Sequence, residues 1–377
     1  MVPIRLVGLL LLLAGALGTK AQLRISVLTC GTGDALYASF GHTAIRITDS
    51  AGGTDVVYNY GTFDFADPAF YSKFTLGKLL YFLDKEDFDS FLNTYEEEGR
   101  SVAEQVLYLD PLDKIKVRNF LETNFLPRNR AYRYDFLFDN CATRVRDIFP
   151  RVLGPSFQYG TLPGAQKMSF RQVVDGNLAG KPWQRFGIDL ILGSPVDAQM
   201  SNWQAMFLPG YLYTGLQHAQ YNGRPLTAGQ SIFEGGAHKA VRGVSPVFLV
   251  FLALFALVLS VHFIKPLKRF NCGVDIAFLL ITGLLGLQLL FMWYCTNHQA
   301  CARNWNILWA FPPNVFIAFS KRSRLRKYCC ILAIGGLVAA LIVHFLGVQQ
   351  LPLKEIAPLL AALLVIYGYY IKDSISQ

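Results

Sequence analysis

The sequence predicts an α+β domain followed by an all-α transmembrane domain, and three observations carry that prediction. The 377 residues are 53% hydrophobic and only 16% charged, which is too apolar for an average soluble protein and long enough for more than one folding unit. The apolar excess is concentrated after residue 244, in five separate runs. Before that point, period-two alternation and helical periodicity are interleaved, as in a mixed domain.

Taken in chain order, Arg5 precedes an apolar run, Leu6–Gly18, that is too short to span a bilayer comfortably. Small residues follow, with Thr19-Lys20-Ala21 as a cleavage site. This is the plan of a secretory signal peptide over residues 1–21, which exports what comes next. An uncleaved anchor helix is the other reading, because Lys20 is awkward beside a cleavage site.

The exported region, residues 22–244, opens with Leu23–Leu28 and Thr43–Thr48, which alternate apolar with polar, and with the β-rich Asp55–Tyr60. The turn Asp49–Gly53 joins the latter two, as in a hairpin. Helical patterns follow at Pro68–Gly77, Lys85–Glu98 and Pro111–Asn124, with Ser101–Leu109 as a further strand. An aromatic stretch, Arg130–Phe138, leads into Asn140-Cys141-Ala142-Thr143-Arg144, where a helix is expected to begin.

The membrane domain, residues 245–377, is expected to have five helices at about 245–264, 275–294, 304–320, 329–348 and 356–371, since crossing the hydrocarbon takes about 20 apolar residues. The third is short and holds Pro312-Pro313, so it is expected to be kinked or partly re-entrant. Loops 265–274 and 321–328 carry Lys265, Lys268, Arg269, Lys321, Arg322, Arg324, Arg326 and Lys327. Loops 295–303 and 349–355 carry only Arg303 and Lys354. The positive-inside rule then puts the N-terminal domain in the periplasm of a bacterial inner membrane and the C-terminus in the cytoplasm. Much of the net charge of +9 lies in these loops, so it does not point to nucleic acid.

Seven cysteines have no metal spacing, and neither a metal nor a cofactor is expected. Cys295 and Cys301 share one short loop, where a disulfide is one option. Cys272, Cys329 and Cys330 read as packing residues. His218, His238, His262 and His344 have no partner pattern, and Ser169 and Ser194 lack the context of a serine hydrolase.

Two residues carry chemistry. His42 begins a strand, and Cys141 falls in the first turn of a helix. A thiolate is favoured by a helix N-terminus and by a neighbouring imidazole, and such pairs meet in space rather than in sequence. On residue types alone, a small buried core cysteine is the commoner reading of Cys141. In an oxidising compartment a Cys30–Cys141 disulfide would remove the nucleophile; the expectation is a free, structural Cys30.

Gly41-His-Thr-Ala44 followed much later by Asn140-Cys-Ala-Thr143 resembles the permuted papain-like thiol enzymes, including lecithin:retinol acyltransferase and its phospholipid-acyltransferase relatives, in which the histidine strand precedes the cysteine helix. A fuller resemblance runs through almost the whole chain. Leu28-Thr-Cys-Gly-Thr-Gly33, Ser39-Phe-Gly-His-Thr-Ala-Ile-Arg46, Tyr58-Asn-Tyr-Gly-Thr-Phe-Asp-Phe65, Tyr132-Arg-Tyr-Asp-Phe-Leu-Phe-Asp-Asn-Cys-Ala-Thr-Arg144, Arg185-Phe-Gly-Ile-Asp189 and Met206-Phe-Leu-Pro209 are similar to the Lnb family of bacterial lipoprotein N-acyltransferases. The resemblance implies a periplasmic permuted papain-like domain on a five-helix membrane domain. It also implies transfer of an acyl chain from a membrane phospholipid, through a Cys141 thioester, to the α-amine of a diacylated apolipoprotein, with His42 as acid and base.

In such sites a third polar residue on the next strand orients the histidine. Asn59 is the first choice and Tyr60 the second, although Asn59 can equally satisfy backbone groups at a strand end. Tyr134, Asp135 and Asn140, just upstream of the thiol, are oxyanion-side or orienting candidates, or residues that hold the loop. His298, Asn304 and Asn306, with Arg303, Trp305 and Trp309 nearby, are candidates for binding a phospholipid headgroup or the acceptor's first residues; interfacial anchoring is the plainer role. The rivals are a membrane-tethered thiol peptidase or amidase of the envelope and a non-catalytic assembly protein.

Overall fold

A computed structural model describes residues 23–164, 167–235, 243–320 and 323–376. The leader segment 1–21, His238, Lys321 and Arg322 lie outside the described residues.

Seven strands form one antiparallel sheet: β1 (Leu23–Cys30), β2 (His42–Asp49), β3 (Thr54–Thr62), β4 (Leu80–Asp87), β5 (Val102–Leu107), β6 (Ala131–Arg133) and β7 (Thr227–Phe233), in the order β7-β5-β1-β2-β3-β4-β6. The helices of six or more residues in this region are α1 (Phe70–Thr75), α2 (Phe88–Glu97), α3 (Pro111–Phe125), α4 (Cys141–Leu153), α5 (Phe170–Asn177), α6 (Pro182–Ile191) and α7 (Pro209–Gln217). Alternate residues of the central strands bury opposite faces. Ile25, Val27, Ile45 and Ile47 pack with Val117 and Leu121 of α3 and with Val145 and Phe149 of α4. Leu28, Cys30, Ala44 and Val57 pack on the other side against Phe88, Phe91 and Tyr95 of α2.

The hairpin of β2 and β3 positions the site. Its tip is an Asx-type turn in which Asp49 Oδ1 accepts from the Ala51 N–H at 3.1 Å, and Asp49 pairs with Thr54 across it. The tip thereby fixes the register. The paired run ends at Ile45 opposite Tyr58, so the start of β2 lies beside the far end of β3.

Two expectations change here. Lys85–Asp87, expected in a helix, complete β4, with Tyr58 opposite Lys85 and Asn59 opposite Asp84; the helix begins only at Phe88. Pairing with a formed neighbour outweighs the local helical pattern of a charged run. Strand β7, paired with β5, was not anticipated.

In the C-terminal region, α8 (Pro246–Phe263), α9 (Asn271–Cys295), α10 (Asn314–Phe319), α11 (Ser323–Phe345) and α12 (Leu353–Ser376) follow. Among the described residues, four helices are long and apolar enough to cross a membrane. The third segment, expected to be kinked or partly re-entrant at Pro312-Pro313, is a short turn at Trp305–Leu308, then those two prolines, then the six residues of α10. Irregular backbone at membrane depth is tolerated where protein rather than lipid surrounds it, and Trp309, Ala310, Asn314 and Ile317 are all buried. Gly286 of α9 admits this segment: a Cβ there would stand 1.9 Å from the Ala310 carbonyl oxygen.

Candidate active site

Cys141 is the first residue of α4, and Asn140 caps that helix. Asn140 Oδ1 accepts from the Thr143 N–H at 2.9 Å, while Thr143 Oγ1 accepts from the Asn140 N–H at 2.8 Å. This reciprocal capping box fixes where the helix begins. Its free N–H groups and partial positive charge then lie at the sulfur.

His42 and Cys141 come together over Gly61, where a Cβ would lie 3.9 Å from both His42 Cε1 and Cys141 Cβ, and each acts on the other's titration. Burial alone pushes the Cys141 thiol up. The charge and hydrogen bond of His42, with hydrogen bonds from the Thr43 and Ala142 backbone, outweigh it and hold the thiol below its ordinary value. For His42 burial acts downward, but Cys141 and the bond to Asn59 prevail and raise it above the usual imidazole value. Both directions favour a thiolate–imidazolium pair.

Asn59 lies where the hairpin brings it, with Oδ1 2.7 Å from His42 Nε2. Its amide has a defined orientation, because Asn59 Nδ2 donates to Glu86 Oε1 at 3.0 Å. With Nδ2 spent on a carboxylate, Oδ1 faces the ring, so Nε2 is the donor and Nδ1 is left for the sulfur. Glu86 is therefore part of the arrangement and was missed from sequence, because the strand that carries it was read as a helix. Tyr60 does not reach His42; it is buried, with its ring edge-on to Tyr132 at 6.2 Å.

Gly61 occupies a break in the β3–β4 register with φ +104°, a region that favours glycine. A Cβ there would lie 3.9 Å from Cys141 Cβ, 3.9 Å from His42 Cε1 and 4.0 Å from Tyr132 Oη. The Tyr132 hydroxyl is buried and has no hydrogen-bond partner among the described residues. A buried donor without a partner is a costly arrangement, and no sequence signal points to it.

The candidates upstream of the thiol divide. Asn140 spends its side chain on the cap and on the Phe136 and Phe207 carbonyls, at 2.6 and 2.9 Å. Asp135 Oδ1 accepts from Leu137 and Phe138 N–H at 2.9 and 3.0 Å and so holds the loop. Tyr134 stacks on Tyr81 at 4.4 Å and feels the charge of Cys141, which adds to burial in raising its phenol. Cys30 is a free, buried thiol opposite His42 in the β1–β2 register. Burial pushes it up to about 12, so it stays protonated and unreactive. Cys295 and Cys301 are also free.

The residues proposed for substrate binding lie in the seam between the two regions. Asn304 and Asn306 are fully buried. Asn304 Nδ2 donates to the Leu190 carbonyl at 2.8 Å, and Asn306 Nδ2 reaches the Asp189 and Leu190 carbonyls at 3.3 and 3.2 Å. Gln349 Nε2 bonds Leu192 O and Asn304 Oδ1, each at 3.2 Å. These amides cap the carbonyl end of α6 and join the two regions, so a headgroup would meet neither asparagine. His298 is half-buried, with Nε2 3.0 Å from the Phe74 carbonyl.

Residues 19–176 match the family model of the Lnb N-terminal periplasmic domain, and residues 238–377 match that of the Lnb transmembrane domain. No curated protein and no solved structure matches the chain.

Proposed function

The chain belongs to the Lnb family, and from that premise we propose that it is a lipoprotein N-acyltransferase with Cys141 as nucleophile and His42 as acid and base. The order of parts, a histidine strand before a cysteine helix packed on an antiparallel sheet, supports a permuted papain-like reading of the fold. The observation that carries the proposal is the relay Cys141–His42–Asn59–Glu86, in which each member orients the next.

In the first step the Cys141 thiolate attacks an ester carbonyl of a membrane phospholipid. The negative charge that develops on oxygen falls near the first N–H groups of α4 and the unpartnered Tyr132 hydroxyl, a donor set of the kind that stabilises such intermediates. The ester C–O bond breaks, the His42 imidazolium protonates the leaving alkoxide, and a lysophospholipid departs from the thioester. Neutral His42 then accepts a proton from the α-amine of a diacylglyceryl-cysteine. That amine attacks the thioester, the C–S bond breaks, and the thiolate–imidazolium pair returns with an amide as product.

The test is to incubate the purified full chain with phospholipid and a diacylglyceryl lipopeptide and to follow both by mass spectrometry. Addition of one acyl chain to the lipopeptide and loss of product in Cys141→Ser are expected. Cleavage of the lipopeptide without acylation would replace the transferase by a thiol hydrolase.

A further inference from the structure

A ridge of exposed aromatic rings runs from the thiol toward the membrane domain. It starts at Phe63, two residues past Gly61, the glycine that abuts Cys141 and His42. Phe63 packs on Phe65, Phe70 and Tyr81 at centroid distances of 4.6, 5.6 and 5.2 Å. Tyr81 in turn stacks on Tyr134 at 4.4 Å. From Phe70 the row continues along α1 to Phe74, with rings parallel at 6.3 Å.

These rings are not core residues. Phe65, Tyr71 and Phe74 are 73%, 80% and 52% exposed, and none of the described helices covers them. A contiguous exposed apolar patch of this kind marks an interaction surface. What it meets follows from how α1 is held. The Leu76 carbonyl accepts from the Asn297 N–H at 2.9 Å, and the Phe74 carbonyl lies 3.0 Å from His298 Nε2. Asn297 and His298 follow directly on the end of α9, where Trp293 stacks on Tyr294 at 4.9 Å and lies 6.0 Å from Trp305. Such tryptophan and tyrosine clusters sit at the membrane–water boundary, so one end of the ridge is fastened at the level where lipid begins.

We propose that this ridge is the donor-lipid subsite: acyl chains of outer-leaflet phospholipid leave the bilayer along Tyr71 and Phe74, lie across Phe65 and Phe70, and deliver the ester carbonyl past Phe63 to Cys141. The inference rests on the acyltransferase reading and adds to it where and by what chemistry the donor is held. Aromatic rings suit a mobile alkyl chain, because they supply apolar area at low entropic cost and demand no fixed polar partner.

Two measurements on the full chain in phospholipid nanodiscs test it. The first uses phosphatidylethanolamine with a diazirine at the chain terminus and maps the cross-links by peptide mass spectrometry. The second follows mass gain on Cys141 from the same lipid. The comparison variant is Phe65→Gln/Tyr71→Gln/Phe74→Gln, which changes only exposed side chains. Labelling between Phe63 and Tyr81, and a loss of roughly tenfold in both readouts in the variant with unchanged Cys141 alkylation, is the expected result. Thioester formation in the wild type with labels confined to the membrane helices would overturn the ridge and leave the transferase standing. Labelling of the ridge without any thioester would keep the subsite and overturn the transferase. Equal thioester formation by wild type and variant would also overturn the ridge.

Discussion

Asn59→Ala isolates the orienting step. The substitution removes the acceptor 2.7 Å from His42 Nε2 and leaves Glu86 Oε1 without its 3.0 Å donor, while Cys141 and the helix start keep their places. The lost contact is a hydrogen bond to a group that is charged in the resting pair, and such bonds contribute about 1.5–3 kcal/mol. Roughly 10- to 150-fold in thioester formation should follow. The sign in pH follows from the pair. Cys141 is held below the ordinary thiol value, so in the wild type alkylation by iodoacetamide stays fast as pH falls below that value and declines only through the lowered one. His42 is held above the ordinary imidazole value, so the imidazolium persists above it, and acyl transfer, which needs both forms, is bell-shaped between the two. Without Asn59 the imidazolium is less stabilised, the thiolate loses part of its counter-charge, and the alkylation midpoint moves upward by roughly one pH unit or more. Stopped alkylation with mass readout at each pH measures this. An Asn59→Ala profile superimposable on the wild type, with transfer rates within about twofold, would mean that Asn59 merely closes a strand end.

Tyr132→Phe should lower thioester formation by roughly 100-fold or more, as loss of an oxyanion donor does, while alkylation by iodoacetamide, which develops no oxyanion, keeps its rate. An equal fall in both would make Tyr132 structural. Gly61→Ala forces a side chain into φ +104°, at a cost of about 1–3 kcal/mol, and is expected to lower both the thermal midpoint and the thioester rate; an unchanged midpoint refutes the strain. Asn304→Ala takes the 3.0 Å acceptor from the buried Asn306 N–H, at a cost of about 1–3 kcal/mol, and removes one of two partners from the Leu190 carbonyl and from Gln349 Nε2, so limited proteolysis between the two regions should accelerate while Cys141 alkylation is unaffected. Asp175, pushed up to about 7 chiefly by burial and then by Asp189, is protonated in the fold at a pH where the unfolded chain has already ionised. Its stabilising share is complete below the ordinary carboxylate value and is lost as pH rises toward 7, so the thermal-midpoint gain of Asp175→Asn should grow from pH 4 to 7 and then level off.

The part of the site that sequence exposes is the part built by local rules. A capping residue before Cys141, an Asx turn at Asp49–Gly53 and alternation on either side place the thiol at a helix start and bring Asn59 toward His42. The misses share a cause, which is long-range pairing. Glu86 reads as a helix surface residue until Tyr58 pairs with Lys85 and pulls Leu80–Asp87 into the sheet. The Tyr132 hydroxyl becomes an orphan only when β6 closes on β4 at Tyr81. In the membrane region hydropathy reports apolar content but not backbone regularity; Pro312-Pro313 is what marks the third segment as kinked or re-entrant, and its backbone is irregular and enclosed.

The seam explains why Asn304 and Asn306 looked like ligand-binding residues: polar groups near a membrane surface are costly unless satisfied, and two partners satisfy them equally well, a headgroup or the carbonyl end of another helix. Here α6 supplies the second. Its Leu190 and Leu192 carbonyls are taken by Asn304, Asn306 and Gln349. Arg171 next to it is 2% exposed between Asp189 and Asp197, at 2.9 and 2.8 Å, and Arg185 is paired with Glu355 of α12. Buried ion pairs contribute little net stability but tolerate few alternative geometries. Arg171 with its two carboxylates stiffens the end of α6 within the first region, while Arg185–Glu355 and the three amides cross to the membrane region and favour one placement of the two regions. Under the proposed acyl transfer, a thiol that meets both an ester and an amine needs that fixed placement, because a displacement of about 1 Å at the reacting atoms can cost roughly 100-fold in rate.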